Sequence, residues 1–69
     1  MYDDKKFTLN IWAARVNKRI PRKEAAEKLG VSVPTISNWE NGRTMPDAKH
    51  VMMMAELYGL PASMLRFDD

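Results

Sequence analysis

Apolar residues recur at intervals of three and four along most of this 69-residue chain, which is the spacing of one face of an α-helix. The pattern predicts five helices over residues 8–19, 22–29, 33–40, 48–58 and 62–66. Thr8, Ser32 and Asp47 are predicted N-caps, because a short polar side chain can accept a hydrogen bond from the first helical turn. Pro21 ends the first helix, and no alternating strand pattern is present, so the expected fold is all-α.

Residues 22–41 are the most informative part of the pattern, because a tight turn separates two of the predicted helices there. Small and apolar side chains mark one face of each helix: Ala25, Ala26 and Leu29 in the first, Ile36 and Trp39 in the second. Gly30 follows the first helix and can adopt the left-handed turn that stops it, since it has no Cβ atom to clash. The segment therefore predicts a helix-turn-helix, whose second helix can lie in the major groove of DNA.

The charge distribution favours a nucleic-acid partner, although the formal net charge is only +2. Between residues 5 and 23 the chain carries seven basic residues and no acidic one: Lys5, Lys6, Arg15, Lys18, Arg19, Arg22 and Lys23. A basic run beside an exposed helix is the expected footprint of phosphate binding. The same composition also fits a solvated helix face, and it is the neighbouring helix-turn-helix that favours DNA.

The segment GVSVPTISNWENG at residues 30–42, with EAAEKL before it and Pro46-Asp47 after it, resembles the lambda-repressor-like, Cro/repressor-type helix-turn-helix family. The resemblance covers residues 7 to 65. It implies a compact five-helix DNA-binding domain over residues 7–67, with short tails at 1–6 and 68–69. It also implies sequence-specific binding of a double-stranded DNA operator, commonly as a homodimer, by a transcriptional regulator such as a phage or prophage Cro-like repressor.

The resemblance assigns two groups of DNA-contacting residues. The base-reading positions on the third helix are Val33, Pro34, Thr35, Ser37 and Asn38. The phosphate-binding candidates are Arg22, Lys23, Asn41, Arg43 and Lys18. Arg22 stands where the family usually carries a glutamine, so a charged contact replaces a neutral one. Apolar Val33 and Pro34 suit thymine methyl groups, whereas the Asn38 amide can bond an adenine edge in bidentate fashion.

Other positions have predicted structural or contact roles. By resemblance, Arg15 and Glu40 form a partly buried ion pair that orients the third helix. Pro21 stands where the family usually has a serine or threonine, so the second helix is expected to lack a side-chain cap. The fourth helix has more apolar positions than one stripe requires, and its excess is predicted to lie outside the core. The resulting exposed candidate interface consists of Met53, Leu57, Met64 and Phe67.

That candidate interface leaves open a second function, in which a small regulator acts by contacting another repressor protein. An enzyme is not expected, because His50 is the only histidine, cysteine is absent, and no catalytic, zinc or phosphate-loop pattern occurs. We therefore predict no catalytic residue, metal or cofactor. No apolar run approaches the ~20 residues of a membrane span. The start of the sequence lacks a signal-peptide pattern, so we expect a cytoplasmic location without membrane contact.

Overall fold

The computed structural model describes residues 8–67, which form a small bundle of helices with a short sheet at one side. The elements in chain order are β1 (Leu9–Asn10), α1 (Ile11–Asn17), α2 (Arg22–Leu29), α3 (Val33–Glu40), α4 (Ala48–Tyr58), a 3₁₀ helix (Ala62–Met64) and β2 (Leu65–Arg66). The predicted ranges of α2, α3 and α4 are confirmed. The predicted tails at 1–6 and 68–69 lie outside the described residues.

The predicted fifth α-helix over residues 62–66 is wrong, and so is the expectation that the chain contains no strand. Residues 8–67 contain four α-helices, and the fifth segment is a single 3₁₀ turn followed by two extended residues. These pair in parallel with β1, with Leu9 opposite Leu65 and Asn10 opposite Arg66. A two-residue strand is too short to show alternation, and its partner lies far away in the sequence, so periodicity could not reveal it.

Helix α1 is shorter at both ends than the predicted range of residues 8–19. Thr8 is not its N-cap; the Asn10 side chain accepts a hydrogen bond from the backbone N–H of Trp12 at 2.8 Å instead. Pairing with β2 keeps the residues before Ile11 extended, so the helix cannot start earlier. At its other end α1 stops at Asn17, and Arg19 takes a left-handed conformation with φ of 59°.

The core lies where α2 packs against α3 and α4, and α1 and β2 complete it. Its buried apolar residues are Ile11, Ala14, Ala25, Ala26, Leu29, Ile36, Trp39, Met54, Tyr58 and Leu65. The two alanines of α2 occupy little volume, which lets the neighbouring helices approach closely. None of the helices in residues 8–67 is long and apolar enough to cross a membrane, and the longest of them, α4, has 11 residues.

The turn between α2 and α3 has the predicted left-handed glycine. Gly30 has φ of 70°, and the backbone N–H of Val31 donates to the carbonyl oxygen of Ala26 at 3.0 Å. Helix α3 then starts at the predicted cap, since the Ser32 hydroxyl accepts from the backbone N–H of Thr35 at 3.2 Å. The N-terminus of α2 has no side-chain cap, as expected from Pro21.

Asp47 holds the start of α4 against the buried side of α3. Its carboxylate is hydrogen-bonded to the His50 ring nitrogen Nδ1 and accepts from the His50 backbone N–H at 3.1 Å. The hydrogen bond with the His50 side chain is the main reason that the pKa of Asp47 lies below its ordinary value. The His50 ring packs at a tilt on Trp39, with 5.4 Å between the ring centroids. This N-cap therefore also connects α4 to α3.

We predict that Tyr58 makes the protein sensitive to alkaline pH. Burial raises the pKa of Tyr58 from 10.0 to about 12, and the nearby Glu40 carboxylate adds to the shift. The folded state therefore holds the phenol proton more tightly, and its contribution to stability, complete below pH 10, is lost as pH rises towards 12. The loss should be ~1.4 kcal/mol for each pH unit within this range.

The measurement is the free energy of unfolding by urea on both sides of pH 10, in the wild type and in Tyr58→Phe. The phenylalanine variant retains every lysine that titrates in the same range, so it is a matched control for the tyrosine alone. It should lose less stability than the wild type above pH 10. Parallel loss in the two proteins would show that Tyr58 is not the cause.

Candidate nucleic-acid interface

The first turn of α3 is open to solvent while the opposite face of the same helix is buried. Val33 is 38% exposed and Pro34 is exposed, whereas Ile36 and Trp39 lie in the core. Pro34 is tolerated because backbone N–H groups in the first turn have no partner within the helix. An apolar, uncovered helix start has no role in the core of this molecule, and it is available for contact with a ligand.

The remaining predicted base-reading residues are half-buried: Thr35, Ser37 and Asn38. The hydroxyl groups of Thr35 and Ser32 are hydrogen-bonded at 2.9 Å, which limits the directions in which Thr35 can bond a ligand. The backbone carbonyl oxygen of Asn38 accepts from the backbone N–H of Arg43 at 2.9 Å. This bond folds the loop after α3 back onto the helix, and both Asn41 and Arg43 are exposed there.

Three charged side chains from three helices meet beside α3. Arg15 donates from Nε to Oε2 of Glu40 at 2.6 Å and from a terminal nitrogen to Oε1 at 3.3 Å. A second terminal nitrogen of Arg15 donates to the carbonyl oxygen of Ile20 at 2.8 Å. Both partners are buried, since the side chains of Arg15 and Glu40 are 9% and 1% exposed. The predicted ion pair is therefore more deeply buried than the sequence implied.

Arg22 adds a contact that the sequence did not predict. Its Nε donates to Oε1 of Glu40 at 3.1 Å, while its side chain remains 42% exposed. The resemblance assigns a phosphate contact to Arg22, and the structure places this residue between the buried carboxylate and solvent. One carboxylate therefore joins the side chains of two arginines, and the triad Arg15–Glu40–Arg22 connects α1, α2 and α3.

The other four phosphate-binding candidates do not all lie in the same part of the structure. Lys23, Asn41 and Arg43 are exposed, and Asn41 directly follows Glu40 as the C-cap of α3. Lys18 is also exposed, but the end of its side chain lies beside Gly59, where the C-terminus of α4 offers a partial negative charge. Lys18 thus already has a favourable electrostatic position at another part of the molecule.

A cavity of about 490 Å³ opens next to the triad, and sequence reasoning missed it. The residues that matter for its chemistry are Asn10, Trp12, Arg22, Glu40, Asn41 and Arg66. Trp12 is 50% exposed, and α1 carries it to the same side of the molecule as Arg22 and Asn41. The neighbours of Trp12 in this cavity could not be inferred from the sequence, because they come from segments that lie far apart in the chain.

The predicted candidate interface is less exposed than the sequence indicated. Met53 and Leu57 are half-buried and pack against the core, and they line a groove of about 350 Å³ with Lys28, Leu29 and Glu56. Met64 and Phe67 are also half-buried. The exposed methionine of α4 is Met52, at 64%. Three consecutive methionines leave the rotation of the helix ambiguous in the sequence, and packing against α2 decides it.

Within residues 8–67, no three histidine, cysteine, aspartate or glutamate side chains come together in a way that could hold a metal ion. His50 is half-buried and is engaged by Asp47 and Trp39. These contacts give His50 a structural role in the start of α4. The exposed side chains on and beside α3 are cationic, amide and apolar, and such a surface suits contact with a polyanion.

We predict that Glu40 and Arg22 differ in how much they contribute to stability. Glu40→Ala should lower the free energy of unfolding by ~3–5 kcal/mol, because it leaves the buried Arg15 guanidinium without a counter-charge. Arg22→Ala should cost less than ~1 kcal/mol, because solvent screens its partly exposed guanidinium. Urea unfolding of the two variants and the wild type measures both values. Equal losses would contradict the assignment of Glu40 and Arg15 as the buried partners.

Comparison with known proteins agrees with this geometry. The family model described as Helix-turn-helix matches residues 13–65, which include α2, the turn and α3. The "ImmF control region 10 kDa protein" of Bacillus phage phi105 is 33% identical over 69 residues, which are 100% of this chain and 77% of that protein. No solved structure matches the chain significantly. The chain therefore belongs to the helix-turn-helix family of the Cro/repressor type, and it is a DNA-binding regulator.

Proposed function

We propose that this protein is a sequence-specific transcriptional regulator, of the phage or prophage Cro-like repressor kind, that reads a double-stranded operator with α3. The observation that carries the proposal is the uncovered first turn of α3 above a fully buried opposite face. A helix held in this way can enter the major groove with its N-terminal side chains leading. The similarity to a phage control-region protein supports a viral or prophage origin for the regulated operator.

The exposed side chains of α3 define the kind of sequence that it reads. Val33 and Pro34 have no side-chain donor or acceptor, so they favour thymine, whose methyl group projects into the major groove. Asn38 offers a donor and an acceptor that match the N6 and N7 positions of adenine. Thr35 and Ser37 contribute a base or phosphate contact through their hydroxyl groups. The proposed half-site therefore has at least one thymine under the start of α3 and an adenine near Asn38.

Phosphate contacts on both sides of α3 fix its position in the groove. The proposed donors are Arg22 and Lys23 at the start of α2, and Asn41 and Arg43 after α3. All four are exposed, and three of them are cationic. Lys18 is a weaker donor in this proposal, because its side chain lies at the end of α4. Such contacts position the protein on DNA without carrying sequence information themselves.

The protein is proposed to act as a homodimer that assembles on DNA, with each copy reading one half of a palindrome. Two-fold symmetry doubles the number of base and phosphate contacts and fixes the half-site spacing at about one helical turn. Met53 and Leu57 are half-buried and pack against the core of their own chain, and we propose that two copies associate only weakly in solution and assemble on DNA. The proposed activity requires no catalysis and no cofactor, and it takes place in the cytoplasm.

Selection of binding sites from random duplexes tests the proposed function directly. The protein concentration is varied during the selection, so that the stoichiometry and the preferred sequence are read from the same experiment. The expected result is a palindromic consensus with thymine and adenine at the stated positions, bound by two copies of the chain. The absence of any preferred duplex at every salt concentration would refute sequence-specific binding.

We predict that Asn38→Ala weakens binding to the selected duplex by ~1–3 kcal/mol and changes binding to random DNA little. The variant loses a base contact but keeps every cationic side chain. Titration of both duplexes by fluorescence anisotropy gives the two affinities. Asn17→Ala is a matched control, because it removes an exposed amide at the end of α1, outside the proposed DNA-contacting residues, and it should bind both duplexes like the wild type. An equal loss on the selected and the random duplex would remove Asn38 from the base-reading group.

We predict that Arg43→Ala weakens binding to both duplexes and changes the salt dependence of affinity. A cationic phosphate contact contributes about −0.9 to the slope of log K against log salt concentration. Replacing Arg43 should therefore make that slope less steep by this amount, whereas Asn38→Ala should leave it unchanged. Titrations at four or more salt concentrations measure the slope. An unchanged slope in Arg43→Ala would show that Arg43 does not bind a phosphate.

A further inference from the structure

We propose that Glu40 is a positioning residue for DNA binding, which holds the guanidinium of Arg22 in the orientation that contacts a phosphate. This inference rests on the proposed function and adds to it a residue that does not touch DNA. It concerns a feature of this chain in particular, since it depends on arginine at position 22. The evidence is the geometry of the triad Arg15–Glu40–Arg22.

Glu40 cannot contact DNA itself, because its side chain is only 1% exposed. It lies at the C-terminal end of α3, and its carboxylate faces the start of α2 and the middle of α1. Arg15 donates to both of its oxygens, and Arg15 is tied in turn to the backbone carbonyl oxygen of Ile20. Arg15 therefore fixes the position of the carboxylate independently of its contact with Arg22.

Arg22 uses the inner edge of its guanidinium to bind Glu40. The donor is Nε, at 3.1 Å from Oε1, and this is the hydrogen bond that the Arg22 side chain makes among the described residues. A guanidinium is planar and has five N–H donors, so a bond from Nε leaves the two terminal NH₂ groups for another acceptor. The side chain is 42% exposed, so these groups have access to solvent. A phosphate is the acceptor that matches such a fork.

One alternative is that Glu40 affects DNA binding only through its charge, and the two explanations predict effects of opposite sign on the affinity. The triad contains two guanidinium groups and one carboxylate, so its net charge is +1. Glu40→Gln removes the negative charge and raises the net charge of the domain by one. If charge alone determines the affinity for DNA, this variant binds more tightly. If Glu40 positions Arg22, the variant binds more weakly in spite of the added positive charge.

The experiment compares Glu40→Gln with Glu24→Gln on the selected duplex. Glu24 lies in the first turn of α2 and is exposed, so its replacement makes the same change in net charge close to Arg22 without touching the triad. Glu24→Gln should bind as tightly as the wild type or more tightly. Glu40→Gln should bind about tenfold more weakly, since a hydrogen bond between charged groups is lost or misdirected. Circular dichroism and urea unfolding establish that each variant is folded at the temperature of the titration.

A double-mutant cycle separates positioning of Arg22 from a general effect on α3. Arg22→Ala is introduced into the wild type and into Glu40→Gln, and the two losses of affinity are compared. Arg22→Ala should cost about tenfold in the wild type and no more than about twofold in the glutamine background, because Arg22 is no longer directed there. Equal losses in the two backgrounds, or tighter binding by Glu40→Gln, would overturn the proposal.

A measurement on the wild type keeps the proposal testable if Glu40→Gln does not fold. Relaxation of the Arg22 Nε–Hε group by NMR, in the absence of DNA, should give an order parameter close to that of the rigid backbone, about 0.85. Exposed Arg43 is the internal control and should give a value below about 0.6. A mobile Arg22 side chain would overturn the proposal whether or not the variant folds.

These outcomes also distinguish the inference from the proposed function. If the wild type prefers no duplex, sequence-specific recognition fails, and the NMR measurement still decides whether Glu40 holds Arg22 in place. If the wild type prefers a duplex and Glu40→Gln behaves like Glu24→Gln, recognition stands and the positioning role of Glu40 is refuted. Weak binding by the folded Glu40→Gln, together with non-additivity with Arg22→Ala, supports both.

Discussion

The buried carboxylate of Glu40 is the constraint on which the rest of this structure depends. It is surrounded by guanidinium groups from α1 and α2, at distances of 2.6 Å and 3.1 Å from their Nε atoms. A charge removed from water is costly unless partners compensate it, so the stability of the domain depends on Arg15 holding the Glu40 carboxylate, and Arg22 completes the arrangement from the solvent side. That arrangement sets the position of α3 relative to the two helices that precede it.

The position of α3 matters because one face of this helix belongs to the core while its first turn is exposed. Ile36 and Trp39 bury one of its faces in the core, and Val33 and Pro34 leave its first turn uncovered. A domain of this size has a limited core, so the buried face must pack well for the exposed turn to be held rigidly. Gly30 and the Ser32 cap add local precision, since they end α2 and start α3 within a few residues.

The small net charge of +2 does not show where positive charge is concentrated on the surface. The triad leaves one net positive charge beside α3, in a place where Arg22 connects the interior to solvent. Trp12 and Asn41 line the adjacent cavity, so the basic group stands beside an aromatic ring and an amide. Burial of the triad also affects the core, because the Glu40 carboxylate contributes to the raised pKa of Tyr58.

The sequence by itself determined the ranges of α2, α3 and α4 and the turn at Gly30, because these depend on helical periodicity and on capping within a few residues. The family resemblance indicated the pairing of Arg15 with Glu40. Only the tertiary structure decided that Arg22 shares the same carboxylate, that residues 65–66 pair with residues 9–10, and that Met53 packs inward while Met52 does not. Each of these depends on contacts between segments distant in the chain or on the rotation of a helix about its axis. Local sequence patterns do not determine either of them.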